Sequence, residues 1–310
     1  MEAYALKGQS IIDTADLSLD QIHHLIETCD RIQAMGADAQ RLCQGKILGT
    51  LFWEPSTRTR LSFESAMFRL GGNVLGFSEA KSSSVSKGET LADTIRTVAL
   101  YTDVIAMRHP NEGSALAASQ FVEIPIINGG DGAHLHPTQT LGDVYTLIKE
   151  KGKLEGLEVG FLGDLLFGRT IHTLVRLLSR FGVTLHFFAP EGLDIPAYVR
   201  ADLDSFGATY TEQNNFTDRL AQVDALYVTR LQKERFFSEE EYLRKRNSYS
   251  VNKETLEGAK ADMLVLHPLP RNEEIHPEID NTPNAGYFRQ AQYGLQMRMA
   301  LISLCLGVLP

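Results

Sequence analysis

Apolar residues recur along the chain in two patterns that alternate with each other. Short apolar runs predict strands, and apolar residues spaced three and four positions apart predict helices between them. The first helix begins with a capping box, Ser18 with Gln21, and carries Ile22, Leu25 and Ile26 on one face. Strands are predicted at 47–53, 73–77, 104–107, 124–127, 157–162, 184–188, 225–228 and 263–266. Apolar strands separated by helices are typical of parallel sheets built from βαβ units.

The predicted strands fall into two series. The chain has 310 residues, more than the roughly 100–200 typical of one domain. Between the series lie a Gly-rich segment at 128–136, predicted to be a turn, and a helix at 137–149. We therefore predict an α/β fold of two domains, each a parallel sheet flanked by helices. The domains are 1–136 with 290–310, and 150–285, with 137–149 as the interdomain helix. The last helix has no strand left to pair with in the second series, so we expect it to return to the first domain.

Composition and charge narrow the class of protein. The formal net charge is −9, which argues against a general nucleic-acid or membrane-surface binder. Cys29, Cys43 and Cys305 are far apart and suit reduced thiols better than disulfides or a zinc site. The N-terminus lacks the pattern of a signal peptide, and no apolar stretch approaches the ~20 residues of a membrane span. We expect a cytoplasmic protein.

Polar residues follow the predicted strands of the first series, where parallel sheets bind ligands. Ser56, Thr57, Arg58 and Thr59 follow the first strand and open a helix, a combination that suits a phosphate group. The alternative is a helix cap with surface arginines. Arg108 follows the third strand as a candidate anion ligand, with a surface salt bridge as the alternative.

After the fourth strand come two further candidates at the start of a helix. His136 and Gln139 follow the Gly-rich segment. A lone histidine is more often a helix-end or core residue than a catalytic one, and the position after a strand makes the two interpretations of His136 about equal.

The second series offers groups that suit a small dicarboxylate. Arg169 opens a helix after Gly168, and Arg230 and Gln232 follow the strand at 225–228. Two arginines after two strands could hold two carboxylates. Leu269 lies between two prolines, so its carbonyl is a fixed acceptor for a substrate NH₂ group. Sequence motifs for nucleotide cofactors or catalytic metals are absent. We expect no cofactor and no metal.

Four of these segments resemble motifs of the transcarbamoylase family. Segment 52–60 resembles the carbamoyl-phosphate motif shared by the family, and 136–139 resembles its second shared motif. Segments 229–235 and 267–271 are similar to motifs of the aspartate branch, and the likeness covers nearly the whole chain. This resemblance implies two α/β domains and transfer of the carbamoyl group of carbamoyl phosphate to L-aspartate, a step of pyrimidine biosynthesis. It also implies a homotrimer with active sites shared between subunits.

The resemblance assigns a role to each matching residue, with catalysis carried by Arg58, Thr59, Arg108 and His136. Carbamoyl phosphate would be bound by Ser56, Thr57, Arg58, Thr59, Arg108, His136, Gln139 and the carbonyl of Leu269, with Ser83 and Lys87 from a neighbouring subunit. Aspartate would be bound by Arg169, Arg230, Gln232 and the neighbour's Lys87. Glu54 would position arginines, and Pro270 would support the turn that follows the last strand.

Two alternatives remain open from the sequence. The acceptor could be another amine, such as ornithine or an acylated derivative, although Arg230 and Gln232 disfavour a cationic acceptor. The chain could also be an inactive homologue with a scaffold or regulatory role. Regulatory chains or dihydroorotase could join the trimer. The chain departs from the family pattern at Gly142, a position often held by leucine, and at Leu166-Phe167.

Overall fold

The computed structural model describes residues 6–79, 84–231 and 249–309, together with Ser238, Glu240 and Leu243. The chain divides into two compact units. Unit 1 comprises Met1–Tyr145 and Gln292–Pro310, and unit 2 comprises Thr146–Ala291. Both points of division fall inside helices, which are defined below as α5 and α9. Among the described residues, no helix is both long and apolar enough to cross a membrane.

Unit 1 contains a parallel four-stranded sheet in the order β2-β1-β3-β4. Its strands are β1 Ile47–Phe52, β2 Asn73–Phe77, β3 Val104–His109 and β4 Ile126–Asp131. Its helices are α1 Leu19–Met35, α2 Thr57–Arg69, α3 Leu91–Ala99, α4 Ser114–Ser119, the first part of α5 Pro137–Lys151 and most of α9 Tyr287–Leu306. Strands β1, β3 and β4 are buried along nearly their whole length, as expected for a sheet covered by helices.

Unit 2 contains a parallel five-stranded sheet in the order β7-β6-β5-β8-β9. Its strands are β5 Glu158–Leu162, β6 Thr184–Phe188, β7 Tyr210–Gln213, β8 Ala225–Val228 and β9 Leu264–Leu266. The helices that lie wholly within its continuously described segments are α6 Arg169–Ser179, α7 Ala197–Ser205 and α8 Lys253–Leu256. The predicted architecture of two parallel sheets with flanking helices is therefore confirmed.

The boundaries of individual elements were predicted unevenly. The capping box of α1 is confirmed, since Ser18 Oγ accepts from Gln21 N over 3.1 Å and Gln21 Oε1 accepts from Ser18 N over 2.9 Å. The prediction of a turn from residue 128 is wrong at its start, because β4 continues to Asp131. Glycine relieves a close contact there, since a Cβ on Gly129 would lie 3.1 Å from the carbonyl oxygen of Met107 in β3. Strand β7 was missed, because its residues are polar and lie at the edge of the sheet.

The C-terminal helix packs within unit 1, as predicted. Gly8 N donates to Cys305 O over 2.9 Å, and the end of the helix is buried. The same packing explains the glycine at position 142. A Cβ on Gly142 would lie 3.0 Å from Cα of Gly294, so α5 and α9 approach closely where both carry glycine. Gly142 costs the helix ~1 kcal/mol relative to alanine, and the close packing of the two helices offsets this cost.

Candidate active site

The first group of candidate side chains lies where β1 ends and α2 begins. Ser56 stands at the N-cap position of α2, and Thr57 is the first helical residue. The N–H groups of a first helical turn and the helix dipole favour an anion at this end. Thr59 is buried, whereas Thr57 and Arg58 are exposed. The segment predicted to hold a phosphate thus surrounds a helix N-terminus with hydroxyl and guanidinium groups.

Arg108 lies in β3 and is held by polar side chains that follow the neighbouring strand. Its Nε donates to Glu54 Oε1 over 2.6 Å, and its Nη1 donates to Ser56 Oγ over 3.2 Å. The main chain is tied as well, since Trp53 N donates to Arg108 O over 2.9 Å. Because β1 and β3 are paired in parallel with Phe52 opposite Arg108, the ends of both strands deliver these side chains to one place.

A second guanidinium lies close enough to Arg108 for their charges to interact. Partial desolvation, followed by the positive charge of Arg108, lowers the pKa of Arg58. Like charges held together disfavour one another, and a bound anion offsets that repulsion. The carboxyl ends of β1 and β3 are therefore suited to binding a phosphate group.

His136 and Thr59 converge with Arg108 on two glycines of β4. A Cβ placed on Gly130 would lie 3.5 Å from both Arg108 Nη1 and His136 Cδ2. A Cβ placed on Gly129 would lie 3.5 Å from Thr59 Cγ2. Side chains that are far apart in sequence thus lie beside two consecutive glycines, whose backbone leaves room for a ligand to approach. A hydroxyl, a guanidinium and an imidazole together can donate hydrogen bonds to one developing oxyanion.

The turn that carries His136 is held by a buried carboxylate. Asp131 is 1% exposed. Its Oδ1 accepts from Asn128 Nδ2 and from Leu135 N, both over 3.1 Å, and its Oδ2 accepts from Gly113 N over 2.8 Å. This one side chain therefore ties the end of β4 to the turn before α5 and to the start of α4. Gln139 follows in the first turn of α5, where its Nε2 donates to Asp143 Oδ1 over 2.7 Å.

In unit 2, the two candidate arginines follow adjacent strands. Arg169 is the half-buried first residue of α6, and Arg230 is exposed after β8. The turn before Arg169 is tied by Asp164, whose Oδ1 accepts from Phe167 N over 2.9 Å and whose carbonyl accepts from Thr229 Oγ1 over 3.4 Å. Since β5 and β8 are paired in parallel, both arginines emerge from the same edge of the sheet.

The turn after β9 is fixed by a chain of hydrogen bonds. Leu269 has a positive φ of 54° and is followed by a cis peptide bond to Pro270. Leu269 N donates to His267 Nδ1 over 2.8 Å, so the other ring nitrogen, Nε2, carries the proton that it shares with Glu274 Oε1 over 2.8 Å. Gln290 Oε1 accepts from His267 N over 2.8 Å. The Leu269 peptide is thus held by buried side chains.

Three predicted residues belong to segments that the structure describes little or not at all. Ser83 and Gln232 lie outside the described residues. Lys87 ends a short 3₁₀ turn at Ser84–Lys87 and is exposed.

Sequence patterns did not single out the buried carboxylates that support these groups, which are Asp131, Asp143 and Glu274. A weak signal existed for one of them. Asp143 follows Gln139 by four positions, the spacing at which helical side chains meet. Nothing comparable links Glu274 to Leu269.

Comparison with protein families finds two matches that together span most of the chain. Residues 9–149 match the carbamoyl-P binding domain of aspartate/ornithine carbamoyltransferases. Residues 155–305 match the Asp/Orn binding domain of the same enzymes.

Individual proteins are similar over nearly their whole length. The aspartate carbamoyltransferase catalytic subunit of Lachnoclostridium phytofermentans is 52% identical, across 97% of this chain and 98% of the relative. That of Alkaliphilus metalliredigens is 50% identical, across 98% and 99%. Among solved structures, the catalytic subunit of M. jannaschii aspartate transcarbamoylase superposes with a TM-score of 0.92 at 43% identity, covering 96% of this chain and 98% of that one. Aspartate transcarbamoylase from Trypanosoma cruzi, in complex with carbamoyl phosphate and aspartate, gives a TM-score of 0.90 at 38% identity, covering 98% and 97%.

Proposed function

Because the chain belongs to the aspartate/ornithine carbamoyltransferase family, we propose that it transfers the carbamoyl group of carbamoyl phosphate to the amino group of L-aspartate. The products are N-carbamoyl-L-aspartate and phosphate. The observation that carries this function is the convergence of Thr59, Arg108 and His136 on Gly129 and Gly130, beside the N-terminus of α2. The relatives that match over their whole length carry the same activity in their names.

The phosphate of carbamoyl phosphate binds at the start of α2. Ser56, Thr57 and Thr59 offer hydroxyl groups, the first helical turn offers N–H groups, and Arg58 and Arg108 offer positive charge. The hydrogen bond from Arg108 to Glu54 supports this role, because it fixes the direction of the guanidinium while leaving one of its edges for the ligand.

The chemical step forms a C–N bond and breaks a C–O bond. The neutral amine of aspartate attacks the carbamoyl carbon, and the carbamoyl oxygen takes up negative charge in a tetrahedral species. Thr59, Arg108 and His136 donate hydrogen bonds to that oxygen, each worth roughly 3 kcal/mol in such a site. The C–O bond to the phosphate then breaks, and the departing phosphate takes the proton from the amine. Gln139 and the carbonyl of Leu269 accept from the carbamoyl NH₂ group.

Aspartate is held by positive charge. Arg169 and Arg230 bind its two carboxylates, with Gln232 as a further contact. Lys87 and Ser83 of a neighbouring subunit complete the site in a homotrimer, which agrees with the exposure of Lys87. Unit 1 is then the carbamoyl-phosphate domain and unit 2 the aspartate domain. The three free, buried cysteines agree with a reducing, cytoplasmic location.

The test is an assay of acceptor choice. Purified protein is incubated with carbamoyl phosphate and either L-aspartate or L-ornithine, and the ureido product is quantified. We expect carbamoyl aspartate and no citrulline. Comparable turnover of ornithine would place the chain in the other branch of the family, and turnover of neither amine would support an inactive homologue. Light scattering on the chain alone and after incubation with cell extract measures the trimer and any regulatory chain or dihydroorotase that joins it.

A further inference from the structure

The amide of Gln139 makes a hydrogen bond that determines its orientation. Its Nε2 donates to Asp143 Oδ1 over 2.7 Å, one helical turn further along α5. Glutamine carries its two donors on nitrogen and its acceptor on oxygen, and an ionised carboxylate can only accept. The Gln139 nitrogen therefore faces Asp143, and the amide oxygen lies on the other side of the side-chain carbon, away from Asp143.

Asp143 is itself buried next to a buried positive charge. The Asp143 side chain is 0% exposed, and Arg298 of α9 is 5% exposed. Burial lowers the pKa of Arg298 to about 10, and the negative charge of Asp143 opposes this shift. Arg298 thus stays charged at neutral pH, with the carboxylate of Asp143 as its buried counter-charge.

Arg298 is fixed by further contacts from two other helices. Its guanidinium carbon lies 5.2 Å from the centre of the Phe63 ring in α2. Its Nη2 lies 3.5 Å from Thr138 Oγ1 in α5. A Cβ on Gly294 would lie 2.9 Å from Arg298 Nη1, so the glycine provides the room that this guanidinium occupies. The position of Arg298 is thus set by packing and by charge.

We propose that Asp143 and Arg298 are positioning residues that turn the Gln139 amide oxygen toward the carbamoyl nitrogen, and so make the site prefer carbamoyl phosphate to acyl phosphates. This inference rests on the proposed carbamoyl transfer and on the place of Gln139 in it. Acetyl phosphate has a methyl group where carbamoyl phosphate has NH₂, and a methyl group cannot donate to the fixed oxygen. A site built to accept from a substrate NH group rejects an analogue that lacks it, because the buried acceptor is left unpaired.

The test compares binding of carbamoyl phosphate with binding of acetyl phosphate in the full-length protein. The ratio of the two dissociation constants is measured for the wild type and for Asp143→Asn. Asparagine keeps the shape but can donate, so the Gln139 amide is free to turn. We expect weaker binding of carbamoyl phosphate by roughly tenfold and little change for acetyl phosphate, so that most of the preference is lost. A purely structural defect would weaken both ligands alike.

Three further comparisons separate the positioning role from other effects of the substitution. Asp30→Asn is the matched control, because Asp30 also accepts from α5, through Tyr145 Oη over 2.7 Å; it should keep the wild-type ratio. The double variant Asp143→Asn/Arg298→Met removes both buried charges, so no buried guanidinium is left without its counter-charge. This variant should also lose the preference for carbamoyl phosphate over acetyl phosphate. In a Gln139→Ala background, Asp143→Asn should change the ratio no further.

The outcomes separate the inference from the function beneath it. If the wild type prefers carbamoyl phosphate and both Asp143 variants keep that preference within about twofold, the positioning role is wrong and the function stands. If the wild type does not distinguish the two phosphates and transfers no carbamoyl group, the proposed function fails.

Discussion

Unit 1 and unit 2 support their candidate groups in different ways. In unit 1, carboxylates bind functional side chains themselves, in addition to the main chain, which Asp131 holds. Glu54 accepts from the Arg108 guanidinium, and Asp143 accepts from the Gln139 amide. Charged and polar groups of unit 1 are thus aligned before a substrate arrives, which is the arrangement that lowers the cost of stabilising a developing charge.

In unit 2, buried carboxyl groups hold the main chain. Asp164 accepts from the backbone of the turn before Arg169, and Glu274 fixes the Leu269 peptide through His267. The arginines themselves are less enclosed, with Arg230 exposed. Under the proposed function, unit 1 supplies the groups that act on the reacting atoms, and unit 2 supplies the turns and the long side chains that bind the acceptor.

The largest expected effect tests the candidate groups of unit 1. Arg58→Ala removes one of two guanidiniums at the start of α2, and we expect kcat/KM for carbamoyl phosphate to fall by at least about 100-fold. The fold should be intact, because the Arg58 side chain is exposed. Steady-state kinetics and thermal unfolding measure the two quantities.

The matched control is Arg41→Ala, which removes an exposed arginine of unit 1 that pairs with Asp38 over 3.6 Å. It should leave the kinetics unchanged, since exposed pairs contribute little. Near-normal kcat and KM for Arg58→Ala would show that the phosphate of the substrate does not bind at the N-terminus of α2.

A second prediction concerns sites shared between copies of the chain. Lys87→Ala and Arg58→Ala should each be nearly inactive, for different reasons. Mixing dissociated subunits should restore activity, because one site in each hybrid trimer then contains an intact Arg58 and an intact neighbouring Lys87. About a third of the sites in a hybrid should be active, as cyclic symmetry requires. If mass spectrometry shows that subunits have exchanged and no activity returns, Lys87 acts within its own chain.

A smaller effect tests the backbone support in unit 2. Glu274 Oε1 accepts from His267 Nε2 over 2.8 Å and from Asn272 N over 3.0 Å. Glu274→Leu leaves the buried Nε2–H of His267 unpaired and removes the acceptor of Asn272 N. We therefore expect a loss of stability of about 2 kcal/mol and a fall in kcat of roughly tenfold. Glu274→Gln keeps an acceptor oxygen and should recover most of the activity. Equal kcat for the leucine variant and the wild type would mean that the Leu269 turn does not need this support.

Much of the fold could be predicted from the sequence because apolar runs report burial directly. Strand β6 and strand β8 have the bounds that their apolar runs predict. The errors have physical causes. The predicted strand ends at 127 because the glycines after it are typical of a turn. In the structure, Gly129 and Gly130 lie within β4 and leave room for the side chains beside it. Strand β7 is polar and only half-buried, and among the described residues it has a neighbouring strand on one side only.

The candidate site was predicted in a similarly uneven way. Residues with distinctive chemistry next to strand ends, such as Arg108 and His136, were found from the pattern and from the family motifs. The carboxylates behind them were not, because an aspartate in a helix or a turn is usually a solvated residue. Only the structure shows that Asp143 is buried and that Arg298, far along the chain, balances its charge. The family and fold predictions are confirmed, and the roles of individual residues stay predictions.

The smallest expected effect is a pH dependence of stability in unit 2. His172 is buried in α6, where its Nε2 lies 2.7 Å from Leu165 O and its Nδ1 lies 2.9 Å from Tyr198 Oη. Burial lowers the pKa of His172 below its ordinary 6.5. The unfolded chain therefore binds a proton at a higher pH than the folded protein does. Stability from this group is fully present above pH 6.5 and decreases as the pH falls from there through the folded pKa.

Replacing His172 by glutamine should reduce this pH dependence, because the amide can donate to Leu165 O and accept from Tyr198 without titrating. Between about pH 7.5 and about pH 5.5, the Tm of the wild type should fall by 1–2 °C or so more than that of His172→Gln. Part of the dependence should remain in the variant, since burial also lowers the pKa of His109 in unit 1. His23→Gln on the exposed side of α1 is the control and should follow the wild type. Parallel Tm curves for His172→Gln and the wild type would show that the His172 proton is not linked to folding.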